Sequence, residues 1–264
     1  MHIEGARVLL TGASGGLGRS IAAELARRGA ELTVTGRDER ALDHLAHEFG
    51  ARVVPADLAD RDAVSALLDR VGRVDILIAN AALPGSGRLV DLSGTDIDRA
   101  LEVNLRAPMI LARELVEPMR KRGSGHLVVM SSLAGKTATP GLSVYNATKF
   151  ALRGFALALH EELRPEGVGV SVVCPGFVRD AGMFADAGEI ALPRGIRTVA
   201  PGEVAAAVVR AITHEIAELD VAPASLRFGA KLGAIAPKTA AAIQRWTGAD
   251  RSAAELAAGQ VNKR

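Results

Sequence analysis

Disulfide chemistry is excluded at the outset, because Cys174 is the only cysteine in 264 residues and can form no internal bridge. That fits a reducing compartment, and the thiol reads most simply as a small buried hydrophobe. Charge of one sign is also lacking. A formal net charge of +2, with 23% charged residues, excludes both a disordered polyelectrolyte and an electrostatic binder of nucleic acid. No apolar run reaches the roughly 20 residues that a membrane helix requires. Between Met1 and the strand-like run 6–10 there is no room for a secretory signal, so the expectation is a soluble, cytoplasmic protein. One cysteine and six histidines show no metal-ligand spacing, and no metal is expected. Fixed-period repeats, low-complexity tracts and linkers are absent as well. What is present is 48% hydrophobic residues, enough for one domain that buries roughly 70 to 75% of its unfolded surface.

Short apolar runs end at Thr11, Thr35, Pro55, Ala79, Met130 and Val173, with a last one at 218–222, and each leads into a helical or turn segment. This alternation predicts an α/β fold: a doubly wound parallel sheet of about seven strands with helices on both faces. Val74 to Ala79 is nearly all apolar, as a central strand buried on both faces should be.

The carboxyl ends of these strands carry the polar and glycine-rich signals. The first ends in Thr11-Gly12-Ala13-Ser14-Gly15-Gly16-Leu17-Gly18, followed by Ile21 and Leu25 at helical spacing. Glycines there let backbone approach a ligand, and free N–H groups at the start of a helix favour a pyrophosphate, although the spacing Gly-x-Gly-x-x-Gly is absent. The second strand ends in Gly36-Arg37. An arginine where an acid would take ribose hydroxyls favours the 2'-phosphate of NADP over NAD. Asp57-Leu58 forms a turn suited to hold an adenine, and Asn80-Ala81-Ala82 marks the ligand edge of the sheet. A long helical region, about 96–121, contains Asn104 and Pro108. The expectation is an interruption near Pro108, with a kink or an exposed carbonyl.

Tyr145 and Lys149 stand four apart in an amphipathic stretch, which puts phenol and ammonium on one helical face. A nearby positive charge stabilises a phenolate, so the pair can serve as general acid and base, with the phenol pKa expected to fall.

The residues Thr11-Gly-x-x-x-Gly16-x-Gly18, Asn80-Ala-Ala, Asn104, Ser132, Tyr145-x-x-x-Lys149 and Pro175-Gly176 resemble, in order and spacing, the short-chain dehydrogenase/reductase family over residues 5 to about 222. The resemblance implies a Rossmann-like fold and an NAD(P)-dependent oxidoreductase acting on a carbonyl or alcohol. Tyr145 would transfer the proton and Ser132, thirteen residues before it, would hydrogen-bond the substrate oxygen. Lys149 would bind the nicotinamide ribose and lower the Tyr145 pKa. Asn104 would support a proton relay through its backbone carbonyl and a water. The implied cofactor residues are Thr11, Gly12, Ser14, Gly16, Leu17, Gly18, Arg37, Asp57, Leu58, Asn80, Tyr145, Lys149, Pro175 and Gly176. A homodimer or homotetramer is the family expectation, with a small-molecule substrate and no nucleic-acid partner.

Three departures from the family pattern stand out. Ala82 replaces a glycine, and Asp180 replaces the threonine that commonly steadies the carboxamide. The loop also fits Thr-Gly-x-x-Gly-x-x-Gly, the form of sugar-nucleotide epimerases. An epimerase and a non-catalytic NADP-binding sensor are the alternatives. By position, residues 179–199 form the family's substrate loop, with Met183, Phe184, Ile190, Leu192 and Ile196 either suited to an apolar substrate or packed on the domain itself; Arg179, Arg194 and Arg197 read as solvated, with a contact to an acidic group as the alternative. Residues 223–264 read as a helical extension of the 1–222 domain. They would pack beside the substrate cleft or a neighbouring subunit; a basic membrane contact through Arg227, Lys231 and Lys238 is the alternative.

Overall fold

The computed structural model describes residues 1–188, 197–236, 238, 239, 242, 255, 256 and 258–260. Seven strands form one parallel sheet: β1 (Arg7–Thr11), β2 (Glu31–Thr35), β3 (Arg52–Val53), β4 (Ile76–Ala79), β5 (Gly125–Met130), β6 (Val168–Pro175) and β7 (Glu218–Val221). Their order across the sheet is β3-β2-β1-β4-β5-β6-β7. Chain order reverses between β1 and β4, and ligands of doubly wound sheets bind at the carboxyl ends beside such a reversal. The expected doubly wound architecture is therefore present. β3 is shorter than the run 52–55, since only Arg52 and Val53 pair with β2.

Alternate strand residues feed two cores. Ile76, Ile78, Val128 and Met130 face one side with Ile21 and Leu25 of α1 (Gly16–Arg27), Leu42 and Leu45 of α2 (Glu39–Phe49), and Val204 and Val208 of α8 (Pro201–Thr213). Leu77, Leu127 and Val129 face the other, with Leu67 of α3 (Arg61–Val71), Leu111 and Met119 of α5 (Ala107–Arg122), and Leu152 and Ala156 of α6 (Ser143–Leu163). The strand's two-residue period places neighbours on opposite faces, so both must be apolar. Cys174 lies fully buried in the second core, the small hydrophobe its sequence context suggested.

The region 96–121 is interrupted beside Pro108, as expected. α4 (Gly94–Leu101) passes into a π-helical turn at Glu102–Arg106, centred on Asn104, and α5 follows with Pro108 in its first turn. The helical backbone runs on through this turn, Ala107 N–H bonding to the Glu102 carbonyl, and Pro108 has no N–H to give the Asn104 carbonyl four residues earlier, so the interruption expected near Pro108 takes the form of a π turn just before it.

Residues at the two ends of the segment expected to be a substrate loop are tied together. Val178 bridges Val199, Arg179 N–H donates to the Val199 carbonyl at 3.0 Å, and Val199 N–H donates to Phe177 at 2.9 Å. A short helix, α7 (Gly182–Ala185), follows, with the Phe184 ring 5.1 Å from that of Phe177. Ile190, Leu192, Arg194 and Ile196 lie outside the described residues, as do Ala241, Ile243 and Trp246 of the C-terminal region. α9 (Ala224–Ile235) opens the expected extension. Ala230 is buried in the second core, and the Leu226 side chain approaches Gly176 beside the end of β6. α9 thus packs beside the ligand edge, leaving Phe228 and Ile235 exposed. No helix among the described residues is long and apolar enough to cross a membrane.

Candidate active site

The glycine turn after β1 is shaped by its neighbours. Gly12 has φ +64°, and a Cβ there would stand 2.7 Å from the Ala81 Cα. At Gly18 a Cβ would lie 2.2 Å from the Gly12 carbonyl oxygen. Both positions demand glycine on steric grounds. Thr11 and Asn80 lock this turn to β4. The Thr11 hydroxyl accepts from the N–H groups of Asn80 (3.0 Å) and Ala81 (3.1 Å), while the Asn80 amide donates to the carbonyls of Thr11 and Gly12, each at 3.1 Å. α1 begins without a side-chain cap and without an acid in its first turn. Its leading N–H groups and partial positive charge therefore remain available, and the cradle fits a dinucleotide pyrophosphate.

Gly36 adjoins Ser14, where an added Cβ would come within 2.9 Å of the hydroxyl. Arg37 is exposed and makes no ion pair among the described residues. Asp38, the nearest acid, is engaged elsewhere: it caps α2 by accepting from Ala41 N–H at 3.0 Å. A cavity of about 130 Å³ lies alongside, lined by Ala13, Ser14, Arg19, Ala41, His44 and Leu45. Asp57 accepts from Ala59 N–H at 2.9 Å and pairs with Arg99 at 3.7 Å, and Leu58 is buried.

The end of β5 separates two adjacent serines. Ser131 is buried and donates to the Lys149 carbonyl at 2.9 Å, anchoring α6. The Ser132 hydroxyl accepts from Ala134 N–H at 3.1 Å, donates to the Pro175 carbonyl at 3.4 Å, and stands near enough to the Tyr145 phenol to favour its ionised form. Ser132 alone of the two faces the tyrosine. Lys149 is buried, lies 5.6 Å from the Tyr145 ring centroid, and donates to the Met130 carbonyl at 2.8 Å. Burial lowers its pKa to about 8. Contrary to the sequence-based expectation, the Tyr145 pKa is not depressed. Burial pushes it up to about 12, against the opposing Ser132 hydrogen bond, because desolvation of a phenolate outweighs the help it receives.

Asn104 sits fully buried in the π turn. Its side-chain oxygen accepts from Leu83 N–H at 2.6 Å, and its amide donates to the Leu83 carbonyl at 2.8 Å and to Thr148 at 3.3 Å. A π turn shifts the regular i to i−4 pattern, the setting in which a main-chain carbonyl becomes free for other partners. Pro175 and Gly176 close β6, with the Pro175 carbonyl 3.4 Å from the Ser132 hydroxyl. Asp180 has φ +64°, and its largely exposed side chain pairs with Arg179 at 3.5 Å. The carboxylate thus turns to solvent.

Thr148 and Asn146 are positioning residues not singled out from sequence. Thr148 links Asn104 to α6 and donates to the Tyr145 carbonyl at 2.8 Å, while the Asn146 amide donates to Ala134 and Thr137, each at 2.6 Å. Their place beside Tyr145 and Lys149 on one helix was the available signal. Among the described residues, one trio could hold a metal ion, Cys174, Glu218 and Asp220, but the Lys136 ammonium already pairs with both carboxylates.

The family model for short chain dehydrogenases matches residues 6–190. A ketoacyl reductase, HetN, from Nostoc sp. is 35% identical over 260 residues, covering 93% of this chain and 90% of that protein. A short-chain dehydrogenase from Sphingobium yanoikuyae, solved in complex with NADPH, superposes with a TM-score of 0.76 at 29% identity, covering 89% of this chain and 95% of the other. A 3-ketoacyl-(acyl-carrier-protein) reductase from Brucella melitensis, complexed with NADH, gives a TM-score of 0.74 at 26% identity over 83% of this chain and 97% of that one. The chain belongs to the short-chain dehydrogenase/reductase family of oxidoreductases.

Proposed function

We propose that the protein is an NADP(H)-dependent reductase or dehydrogenase of a carbonyl/alcohol pair, with Tyr145 as the proton donor and acceptor. The observation that carries this reading is the convergence of Ser132, Tyr145 and Lys149 at the carboxyl end of β5. Bound along the glycine turn and the end of β4, the nicotinamide cofactor supplies or accepts the hydride. The turn 11–18, locked in place by Asn80, would hold its phosphates, Asp57 and Leu58 its adenine, and Pro175-Gly176 its nicotinamide end.

During reduction, negative charge develops on the substrate oxygen. Ser132 offers that oxygen a hydrogen bond, and Tyr145 gives it a proton. A phenol with a pKa of about 12 stays protonated at neutrality, which is the state a donor needs, and an alkoxide is basic enough to take its proton. The Lys149 ammonium lies close enough to stabilise the resulting phenolate and return a proton, with the Asn104 main-chain carbonyl supporting the relay.

NADP is favoured because Arg37 is exposed at the end of β2 while Asp38 is committed to its helix cap. Phe177, Met183 and Phe184 near the ligand edge favour an apolar substrate, and the ketoacyl reductases among its relatives suggest 3-oxoacyl thioesters as the class to try first. The test is a panel of 3-oxoacyl thioesters, ketones and alcohols followed at the nicotinamide absorbance, with NADPH and NADH in parallel. Tyr145→Phe should lower kcat at least about 100-fold while leaving NADPH affinity within a few-fold. Normal turnover by that variant would refute the mechanism. Isomerised product without net redox change would point to an epimerase.

A further inference from the structure

The carboxyl-terminal region returns to the site from far along the chain. Gln260 is only 3% exposed, and both ends of its amide are used. Its oxygen accepts from the Ser86 hydroxyl at 2.6 Å, across 174 residues, and its nitrogen donates to the Met183 carbonyl at 2.8 Å. Gly259 presses against the same segment, since a Cβ there would stand 2.1 Å from the Ala187 carbonyl oxygen. A buried amide is costly unless its hydrogen bonds are made, so one with both ends occupied is held in a defined place.

The two partners belong to opposite walls of the proposed active site. Ser86, itself fully buried, follows Gly85, which has φ +46° and where a Cβ would lie 3.4 Å from the Tyr145 nitrogen and from Val144. Gly87 N–H donates to the Gly141 carbonyl at 2.7 Å, fixing this turn to the segment that leads into α6. Ser86 is thus tied to the Tyr145 wall. Met183 lies on α7, and the residues just before it touch the nucleotide turn: a Cβ at Gly16 would meet the Ala181 methyl at 2.9 Å, and one at Gly182 would meet Leu17 at 3.9 Å. One side chain therefore joins the wall that carries the proton donor to the wall that covers the glycine turn.

We propose that Gln260 is a positioning and specificity-determining residue, a clasp that holds α7 to the Ser86 turn and so limits the size of substrate admitted. This rests on the carbonyl-reductase reading for its substrate but not for its geometry. On this proposal a compact carbonyl compound is turned over with the clasp closed. A longer or bulkier one must part Ser86 from Met183 and leave a buried amide without partners, a penalty that falls on the larger substrate alone.

The experiment compares wild type, Gln260→Ala, Gln260→Glu, Ser86→Ala and the double variant Ser86→Ala/Gln260→Ala. Gln260→Glu keeps an acceptor for Ser86 but can no longer donate to Met183. Two readouts are taken: amide hydrogen exchange of a peptide covering 182–187, and kcat/KM for a short and a long member of one 3-oxoacyl thioester series. Exchange should rise about tenfold in both Gln260 variants. The ratio of kcat/KM, long over short, should rise at least fivefold, mainly through KM of the long substrate, with the NADPH dissociation constant within twofold of wild type. The double variant should be no further from wild type than Gln260→Ala, because both deletions break one link. Unchanged exchange in the Gln260 variants overturns the clasp whatever the activity. Raised exchange with a substrate ratio within twofold of wild type overturns the role in specificity. If wild type turns over no carbonyl or alcohol substrate, the reductase reading and its size rule fail together, and the exchange measurement still decides the clasp.

Discussion

At the residue scale, Lys149 shows how a site group can burden the fold. It is buried with its pKa depressed to about 8, below the value of about 10.4 for an unfolded lysine. Between those values the unfolded chain holds the extra proton, so this group's contribution makes stability rise with pH. Urea unfolding of wild type and Lys149→Met at pH 7 and pH 10.5 should show wild type gaining about 3 kcal/mol relative to the variant over that interval, with turnover lost in the variant. A difference that did not change with pH would mean that Lys149 titrates normally in the folded protein. The sequence showed that Tyr145 and Lys149 share a helical face, because four-residue spacing is local geometry. It could not give the direction of the tyrosine shift, which desolvation by distant packing sets.

At the scale of elements, the π turn at Glu102–Arg106 and α6 act as a pair. The Asn104 amide satisfies both main-chain groups of Leu83 and reaches Thr148, fixing the segment after β4 to the helix that carries Tyr145. Asn104→Ala would leave buried main-chain groups of Leu83 without partners, and a loss of about 2 to 3 kcal/mol in urea unfolding is expected, along with reduced kcat. Asn104→Asp, which keeps the acceptor for Leu83 N–H, should lose less. The helical region was legible from its apolar periodicity. The interruption expected near Pro108 is a π turn just before it, where Pro108 has no N–H for the Asn104 carbonyl. The choice of Ser132 over Ser131 rested on an interval to Tyr145; in the structure the Ser131 hydroxyl is spent on the Lys149 carbonyl.

At the scale of the whole molecule, a ligand that binds the folded state stabilises it by mass action. NADPH at 100 times its dissociation constant should add about 2.7 kcal/mol, read as a rise in Tm. Arg37→Ala is expected to weaken NADPH binding about tenfold, removing about 1.4 kcal/mol of that protection at the same concentration, with NADH binding little changed. Equal losses for both cofactors would mean that Arg37 does not read the 2'-phosphate. The sequence by itself determined the strand–helix alternation, the glycine turn, and the order of motifs along the ligand edge. Periodicity, glycine freedom and proline restriction act within a few residues and can be read there. Only the tertiary structure decided which serine faces Tyr145, that Asp180 turns to solvent, that burial raises the phenol pKa, and that Gln260 meets Ser86 across 174 residues. Those outcomes depend on which surfaces exclude water together, and that is a property of the packed chain.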